Sequence, residues 1–462
     1  MISRQIAGMA LGPLLFILII FSDLEGMSWE AKAVAAGTAW IACWWLTEAI
    51  PIPATSLLPI ILFPLLGAIE VGKVTAEYGN QIIFLLIGGF FIAITMEKWR
   101  LHIRIALNIV KAIGTSPRRT IAGFMAATAF ISAWISNTAT AMMMVPIATA
   151  IIYQASKNGE DKNFNTAIML SVAYAASIGG VATLIGTTPN LIFAGIYRTF
   201  YGREITFIEW ASFGVPLALF ILVACWVYLV YIAYPPRISS LGEKIEEEIA
   251  LLGKITSQEK KVLSVFLLVA ILWVTRALWG RYLPMIMDSS IAIFGALLLF
   301  LIPAGKGKAL LVWNDAAKLP WDVVLLLGGG LAIARSFMET GLDVWIAQQL
   351  IFLKPMPAIV IIMAVVTLTL FLTEITSNTA TATIIMPVTA SLAAALGMEP
   401  LGILIAVAMS SSLAFMLPVA TPPNAIVFGT GYVTIPQMAR TGIWMNLFCI
   451  AIITLFITYR PV

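Results

Sequence analysis

Long apolar stretches separated by short polar segments run through the whole chain. A helix of roughly 17–25 apolar residues is long enough to cross the hydrocarbon core of a bilayer. The pattern predicts about eleven such crossings, near residues 8–22, 31–48, 54–69, 82–98, 165–186, 212–234, 261–280, 286–303, 322–336, 400–420 and 441–458. We therefore predict an all-α polytopic membrane protein.

Two further apolar stretches, 120–153 and 356–397, are each interrupted near the middle by a Ser-Asn-Thr cluster. Such a stretch is either two full crossings joined by a turn at the far surface, or a re-entrant hairpin whose tip stops inside the membrane. Each half holds only about 15 apolar residues, which is short for a crossing. The pattern therefore favours two re-entrant hairpins.

The composition agrees with a protein that is mostly covered by lipid. Apolar residues make up 61% of the 462 positions and charged residues only 11%, whereas soluble domains average about 25% charged residues. The net charge of +4 is small and scattered, which argues against nucleic acid as a partner. The bilayer is the partner that this composition requires.

The distribution of Lys and Arg predicts the orientation. With the N-terminus in the cytoplasm and both hairpins returning to the face they left, about two-thirds of the 27 basic residues fall inside, as the positive-inside rule requires. The C-terminus is then periplasmic, and the charged segment 235–261 becomes a cytoplasmic linker between two halves.

The chain contains an internal repeat marked by three landmarks in the same order. A six-residue identity, a Leu-Leu-x-Gly-Gly pattern and a Thr-x-Pro-Asn pattern each recur after 234–241 residues: Ser136–Ala141 with Ser377–Ala382, Leu85–Gly89 with Leu325–Gly329, and Gly186–Asn190 with Ala420–Asn424. Small polar residues that merely pack helices together would be scattered. The matched order instead indicates two copies of one half.

The number of crossings between the hairpins predicts that these halves are inverted. Five predicted crossings separate the first hairpin from the second, so the hairpins enter from opposite faces. Their Ser-Asn-Thr tips would then meet near the bilayer midplane. Inverted repeats with broken helices at a central site are typical of secondary transporters.

The hairpin tips offer groups for both an anion and a cation. A helix that begins after Asn137 or Asn378 presents free N–H groups and a positive dipole end to anions. The same loops expose carbonyl and hydroxyl oxygens, which suit hard cations such as Na⁺. The breaks at 186–190 and 420–424 free further carbonyls beside the tips. Since no Lys or Arg lies in these motifs, the pattern favours cation-coupled anion uptake.

Two acidic residues, Glu48 and Glu374, lie in or near predicted spans. Acids inside a membrane are candidates for function, and Glu374 is a candidate for proton coupling. The interpretation we favour is structural: Glu48 marks the interfacial end of its helix, and Glu374 caps or pairs locally.

At these residues the chain resembles the divalent anion–sodium symporter family, and most closely its bacterial INDY-like dicarboxylate members. The resemblance covers essentially the whole chain and is carried by three motifs, namely Trp45–Pro51 running on to Leu57–Pro59, the first Ser-Asn-Thr, and Thr373–Thr381. It implies a homodimer in the bacterial inner membrane with an elevator mechanism. Residues 1–119 and 262–355 would form the scaffold, and residues 120–234 and 356–462 the moving transport domain.

The resemblance also implies the site residues. A first sodium site falls on Ser132, Ser136, Asn137 and Gly186, and a second on Thr373, Ser377, Asn378 and Ala420. Substrate carboxylates would be held by Asn137, Thr138, Asn378 and Thr379, with Thr187 and Pro422 nearby. The chain has Pro422 where the first half has Thr188, so the two sodium sites are not expected to be equivalent.

The function expected from this resemblance is Na⁺-coupled uptake of C4-dicarboxylates such as succinate, fumarate and malate, with Na⁺ as the coupling ion and no enzymatic activity. Alternatives in the same class are proton coupling or another anion, such as citrate, sulfate or arsenite. An ion channel built from the same hairpins is a weaker alternative.

Overall fold

The computed structural model describes residues 2–114, 116–156, 161–238, 252–305 and 307–460. Nearly all regular structure in these ranges is helical, apart from a short antiparallel pair of strands, β1 (Pro303–Gly305) and β2 (Lys308–Ala309). The central part of the predicted linker, 239–251, lies outside the described residues. That linker separates two halves of the chain, and seven consecutive helices of the first half recur in the same order in the second.

The first half contains twelve helices among the residues described. They are α1 (Ile2–Phe21), α2 (Trp29–Thr47), α3 (Ile52–Thr55), α4 (Leu58–Leu65), α5 (Val71–Ala76), α6 (Gln81–Lys98), α7 (Leu101–Ile113), α8 (Pro117–Ser132), α9 (Asn137–Ser156), α10 (Lys162–Val181), α11 (Thr188–Tyr201) and α12 (Phe207–Val227). A 3₁₀ turn at Glu77–Gly79 precedes α6, and a π-helical turn at Tyr228–Ala233 extends α12.

The second half contains ten helices in its described part. They are α13 (Ser257–Trp279), α14 (Asp288–Leu301), α15 (Trp313–Ala316), α16 (Trp321–Thr340), α17 (Leu342–Leu350), α18 (Ala358–Thr373), α19 (Asn378–Leu396), α20 (Pro400–Ser410), α21 (Pro422–Gly429) and α22 (Ile435–Tyr459). A 3₁₀ turn at Ile351–Leu353 follows α17. The helices from α6 to α12, here called repeat one, recur in order as α16 to α22, here called repeat two.

Helices form at every predicted crossing, but length and composition support fewer crossings than eleven. Among the described residues, eight helices are long and apolar enough to span a membrane. Seven of them lie at predicted crossings, and the eighth is α19, in the second predicted hairpin; the crossing predicted at 31–48 forms α2, which is not among the eight. A ninth candidate is the pair 342–353 and 358–373, which is bent by 120°. The predicted crossings at 54–69, 286–303 and 400–420 are shorter apolar helices, at 52–65, 288–301 and 400–410. The sequence pattern also missed the helices α7, α11, α17 and α21.

The predicted shortness of the hairpin halves is wrong for one helix. Helix α19 has 19 residues and passes the length and hydropathy test for a membrane span. Its polar residues are accommodated because Thr383, Thr389 and Ser391 each donate a hydroxyl hydrogen bond to a carbonyl four residues earlier. The helix therefore continues through positions that interrupt the apolar pattern in the sequence.

The repeated Gly-Gly landmarks mark close helix packing in both repeats. A Cβ at Gly88 would lie 2.6 Å from the backbone of Ala292 in α14, and a Cβ at Gly329 would lie 2.5 Å from the carbonyl oxygen of Ser56. Only glycine permits backbones to approach this closely. The landmarks therefore have a packing role that is separate from the hairpin tips.

Helix α10 lies at the centre of the molecule, and every residue from Phe164 to Val181 is buried. Tyr174, near its middle, donates a hydrogen bond of 3.0 Å to the carbonyl of Phe415 in repeat two. The two rings also pack edge to face, with centroids 4.9 Å apart. The centre of repeat one is therefore bonded directly to the segment of repeat two that follows the end of α20.

Candidate functional site

The first hairpin consists of α8 and α9, which pack against each other and are joined by residues 133–136. The hydroxyl of Ser132, at the end of α8, lies 2.7 Å from Asn137 Oδ1 and 2.6 Å from the carbonyl oxygen of Ala176. One hydroxyl proton cannot satisfy both acceptors fully. Three oxygens therefore gather at this point, which is the type of ligand set that hard cations bind.

The second hairpin, α18 and α19 joined by residues 374–377, repeats this arrangement. The hydroxyl of Thr373 lies 2.7 Å from Asn378 Oδ1 and 2.8 Å from the carbonyl oxygen of Ser411. Thr373 and Asn378 stand 241 residues after Ser132 and Asn137, and Ser411 stands 235 after Ala176. The side chains predicted from the repeat therefore come together in both halves. The carbonyls of Ala176 and Ser411 were not predicted, because residue type does not reveal which carbonyls face a site.

Each hairpin faces an interruption between two helices. The first break, residues 182–187, separates α10 from α11, and the second, residues 411–421, separates α20 from α21. Their final residues, Thr187 and Thr421, have nearly the same backbone angles, with φ/ψ of −146°/148° and −141°/149°. The two breaks therefore start the following helix in the same way.

A buried asparagine braces each break. Asn190 donates from Nδ2 to the carbonyls of Gly180 and Thr183, at 3.1 and 2.7 Å. Asn424 donates to the carbonyls of Ala414 and Leu417, at 3.2 and 3.0 Å. All three positions in repeat two lie 234 residues after their counterparts. The third landmark of the repeat is thus a structural brace.

Glycine brings the first break close to the first hairpin tip. A Cβ at Gly180 would lie 2.6 Å from Asn137 Oδ1, and a Cβ at Gly186 would lie 2.4 Å from the carbonyl oxygen of Gly180. Gly186 therefore packs directly on Gly180, and Gly180 packs directly on the side chain of Asn137. Ser136, a predicted ligand, is exposed, and its hydroxyl accepts a hydrogen bond of 3.3 Å from Ala139 N.

The two repeats exchange contacts at the helices that begin next to the tips and breaks. Helix α9 packs against α21, and α19 packs against α11. All six predicted substrate residues lie at the N-terminal ends of these four helices. Asn137 and Thr138 begin α9, Asn378 and Thr379 begin α19, Thr187 precedes α11, and Pro422 begins α21. Positive dipole ends and free N–H groups are thus supplied by both repeats.

Glu374 lies directly after Thr373 and accepts hydrogen bonds from the second break. Its Oε1 accepts from Phe415 N at 2.8 Å, Met416 N at 3.0 Å and Asn446 Nδ2 at 2.7 Å. Its Oε2 accepts from Met416 N and Leu417 N, both at 3.2 Å. Glu374 as a whole is only 3% exposed. The expectation that this acid caps and pairs locally is therefore confirmed.

Glu48 also occupies the place expected of it. It is exposed, caps α2 in the left-handed conformation with φ of 51°, and its N–H bonds to the carbonyl of Trp44. Glu48 thus ends its helix and has no place at the hairpin tips.

An aromatic stack joins the first hairpin tip to α13. The ring of Phe207 stacks between Trp134 and Trp273, with centroid distances of 5.6 and 4.8 Å. Trp134 also packs edge to face on Phe266 at 4.8 Å. At the corresponding place in the second tip, Ile375 offers its carbonyl to the guanidinium of Arg4 at 3.5 Å. The two tips are thus attached to the rest of the molecule by different chemistry.

An ion-pair cluster lies beside the aromatic stack. Arg276 in α13 places Nη2 3.0 Å from Glu204 Oε2 and Nη1 3.0 Å from Asp288 Oδ1. Asp288 accepts a further bond of 2.6 Å from Phe207 N. The segment that precedes α12 is therefore held to α13 and α14 by both charge and ring packing.

Comparisons with known proteins agree with this architecture. The family model described as the sodium:sulfate symporter transmembrane region matches residues 6–461. Proteins named sodium-dependent dicarboxylate transporter SdcS are 45% identical in Staphylococcus saprophyticus and 44% identical in Staphylococcus aureus, over 98% of this chain and 91% of each relative.

Two solved transporter structures share the fold at low sequence identity. The YdaH transporter of Alcanivorax borkumensis aligns with a TM-score of 0.61 at 14% identity, over 86% of this chain and 88% of that one. MtrF of Neisseria gonorrhoeae aligns with a TM-score of 0.57 at 12% identity, over 98% and 94%. The fold is thus that of a membrane transporter. The chain itself belongs to the sodium:sulfate symporter family, which confirms the divalent anion–sodium symporter resemblance seen in its sequence.

Proposed function

We propose that this protein couples inward movement of Na⁺ to uptake of C4-dicarboxylates such as succinate, fumarate and malate. The observation that carries the proposal is the pair of matching oxygen clusters, Ser132 with Asn137 and Thr373 with Asn378, one beside each hairpin tip. Membership of the family supports Na⁺ as the coupling ion. The names of the SdcS relatives support dicarboxylates as the substrate class.

The two sodium sites would form where the oxygens gather. The first would use Ser132, Ser136, Asn137 and the backbone at Gly186, and the second Thr373, Ser377, Asn378 and the backbone at Ala420. In both, hydroxyl protons can turn away so that the oxygens face a cation. The carbonyls of Ala176 and Ser411, which already accept from Ser132 and Thr373, are further candidate ligands.

The dianion would be held between the two tips without a basic side chain. Asn137, Thr138, Asn378 and Thr379 lie in the first turns of α9 and α19, where N–H groups and helix dipoles favour negative charge. Thr187 and Pro422 would line the neighbouring helix starts. Carrying a dianion into a negative-inside cell costs about 2.3 kcal/mol per charge per 100 mV. Two bound Na⁺ offset this cost, and a third would make the potential assist uptake.

The movement would be of the elevator type in a homodimer of the bacterial inner membrane, with the N-terminus cytoplasmic and the C-terminus periplasmic. Segments 120–234 and 356–462 would move together, since α9 packs on α21 and α19 on α11. Segments 1–119 and 262–355 would remain fixed. No catalytic role is proposed for any residue.

Radiolabelled succinate uptake into proteoliposomes tests the proposal. We expect uptake that requires an inward Na⁺ gradient and is competed by fumarate and malate. Liposomes with an inward proton gradient at matched potential are the control for proton coupling. Uptake driven by protons alone would contradict Na⁺ coupling. Uptake competed by citrate or sulfate, and not by fumarate, would contradict the substrate class.

A further inference from the structure

The two breaks differ in length, and Glu374 lies at the point of difference. Helix α10 continues to Val181, whereas α20 ends at Ser410, although position 415 corresponds to 181 by the repeat. Repeat two is therefore unwound over five positions that are helical in repeat one. Its second break, residues 411–421, is correspondingly longer than the first.

The carboxylate of Glu374 holds the end of this unwound segment. If α20 continued as far as α10 does, the N–H group of Phe415 would bond to the carbonyl of Ser411, four residues earlier. Here it bonds to Glu374 Oε1 instead, at 2.8 Å, and the next two N–H groups, those of Met416 and Leu417, also bond to the carboxylate, at 3.0–3.2 Å. Carbonyls in the same segment are released to other donors, because Ser411 accepts from Thr373 and Phe415 accepts from Tyr174. One buried side chain therefore accepts hydrogen bonds from three successive N–H groups at the end of the unwound segment.

Repeat one makes the equivalent connection without a charge. The residue that corresponds to Glu374 is Ala133, and the residue that corresponds to Leu417 is Thr183. There the Thr183 hydroxyl donates to the Ala133 carbonyl, whereas in repeat two the Leu417 N–H donates to the Glu374 carboxylate. The same two points of the fold are joined by a neutral bond in one repeat and by an acidic group in the other.

The bonds of Glu374 extend to the residues of the second oxygen cluster. Leu417, held through its N–H, accepts at its carbonyl from Ala420 N at 3.2 Å and from Asn424 Nδ2 at 3.0 Å. Glu374 also directly follows Thr373 in the chain, whose hydroxyl belongs to the second oxygen cluster. Its position therefore fixes both the hydroxyl and the break that the second sodium site would use.

We infer that Glu374 is a positioning residue for the second sodium site, and that it makes this site bind Na⁺ with a different affinity from the first. It acts by holding the break 411–421 in the unwound form, and by placing a carboxylate next to the residues that would surround the cation. This inference rests on the proposed function, because it assumes that Thr373, Asn378 and Ala420 form a sodium site.

The Na⁺ dependence of uptake in Glu374→Gln tests the inference. The amide keeps the volume but presents an NH₂ donor to N–H groups that need an acceptor, so we expect the Na⁺ concentration for half-maximal succinate uptake to rise by roughly tenfold or more. At saturating Na⁺, the succinate KM should change far less. Glu374→Asp, which keeps the charge, should recover part of the Na⁺ affinity.

Two further variants keep the test decisive if Glu374→Gln does not fold. Asn446→Ala removes one donor to the carboxylate and should raise the half-maximal Na⁺ concentration by about threefold. Thr183→Val removes the neutral hydroxyl bond to Ala133 in repeat one. It should raise the half-maximal Na⁺ concentration less than Glu374→Gln does. Thermal unfolding of each detergent-purified variant separates a loss of fold from a loss of Na⁺ affinity.

The outcomes distinguish the inference from the proposed function. A wild-type protein without Na⁺-dependent uptake would contradict the proposed function itself. Na⁺-dependent wild-type uptake, with an unchanged Na⁺ requirement in Glu374→Gln and Asn446→Ala, would overturn the inference and leave the proposed function standing. Lower thermal stability at an unchanged Na⁺ requirement would reduce Glu374 to a structural residue.

Discussion

The two repeats place the same oxygens at their hairpin tips but support them differently. In both, a hydroxyl lies 2.7 Å from the side-chain oxygen of an asparagine five residues later. Around this shared pair, repeat one uses two glycines, Gly180 and Gly186, where repeat two has Ala414 and Ala420. Repeat two in turn uses the carboxylate of Glu374.

This difference shows which atoms the fold keeps equivalent. The groups that would touch ions recur with the same geometry, whereas the groups that hold them differ in size and charge. A glycine lets two backbones approach closely and leaves the first break short. An acceptor with several lone pairs keeps the second break open and longer. Equivalent ligands therefore do not imply equivalent affinity.

The largest expected effect comes from removing the shared asparagine oxygen in either repeat. Asn137→Ala and Asn378→Ala each delete the acceptor that faces the hydroxyl, together with an amide at a helix N-terminus. We expect each to lower Na⁺-driven succinate uptake to background, by about a hundredfold or more. Uptake into proteoliposomes measures this, with Asn108→Ala on the exposed face of α7 as the matched control. Full transport by either tip variant would refute the proposed site.

A smaller effect is expected where the repeats differ in glycine content. In Gly180→Ala, the new Cβ would lie 2.6 Å from Asn137 Oδ1, so the asparagine has to move. We expect the half-maximal Na⁺ concentration to rise by about tenfold, since a shift of this kind loses one charge-assisted contact. Ala414→Gly, the reverse change in repeat two, is the matched control and should alter it by less than about threefold. Equal effects would mean that the two tips are packed equally tightly.

The smallest effect is expected at the residue that flanks each tip. Trp134→Ala removes a ring that packs on Phe207 and Phe266 and should lower the free energy of unfolding by about 3 kcal/mol. Ile375→Ala, at the same place in repeat two, truncates a side chain that is 57% exposed and should cost below about 1 kcal/mol. Thermal unfolding of the detergent-purified variants measures both. Equal losses would show that the aromatic stack does not hold the first tip.

The sequence predicts the parts of this protein that repeat. Because the six-residue identity fixes the start of α9 and α19, it correctly paired Ser132 with Thr373 and Asn137 with Asn378. The apolar pattern placed the long helices but missed α11 and α21, because helices of fourteen and eight residues are shorter than the length that a membrane crossing requires. The amphipathic α7 was missed because polar residues on one face interrupt its apolar residues, so that it contains no long apolar stretch.

The supports around the site could not be predicted from the sequence. The carbonyls of Ala176 and Ser411 carry no signal in residue type, because every residue has a carbonyl. The bonds from Glu374 to the second break join positions more than 40 residues apart and depend on how α18 packs. The sequence could identify Glu374 as a buried acid, and only the fold shows which N–H groups it accepts.

The complete burial of α10 has a consequence for how the protein is made. Residues 162–181 leave the ribosome early, yet Tyr174 finds its partner at Phe415, which is synthesised 241 residues later. Until the second half is synthesised, this helix, which contains Asn165, Ser171 and Ser177, lies in or beside the membrane without the residues of repeat two that cover it in the folded protein. Completion of the core is therefore expected only after the second half has been inserted, and a chain that stops at the linker would lack the partner that covers this helix.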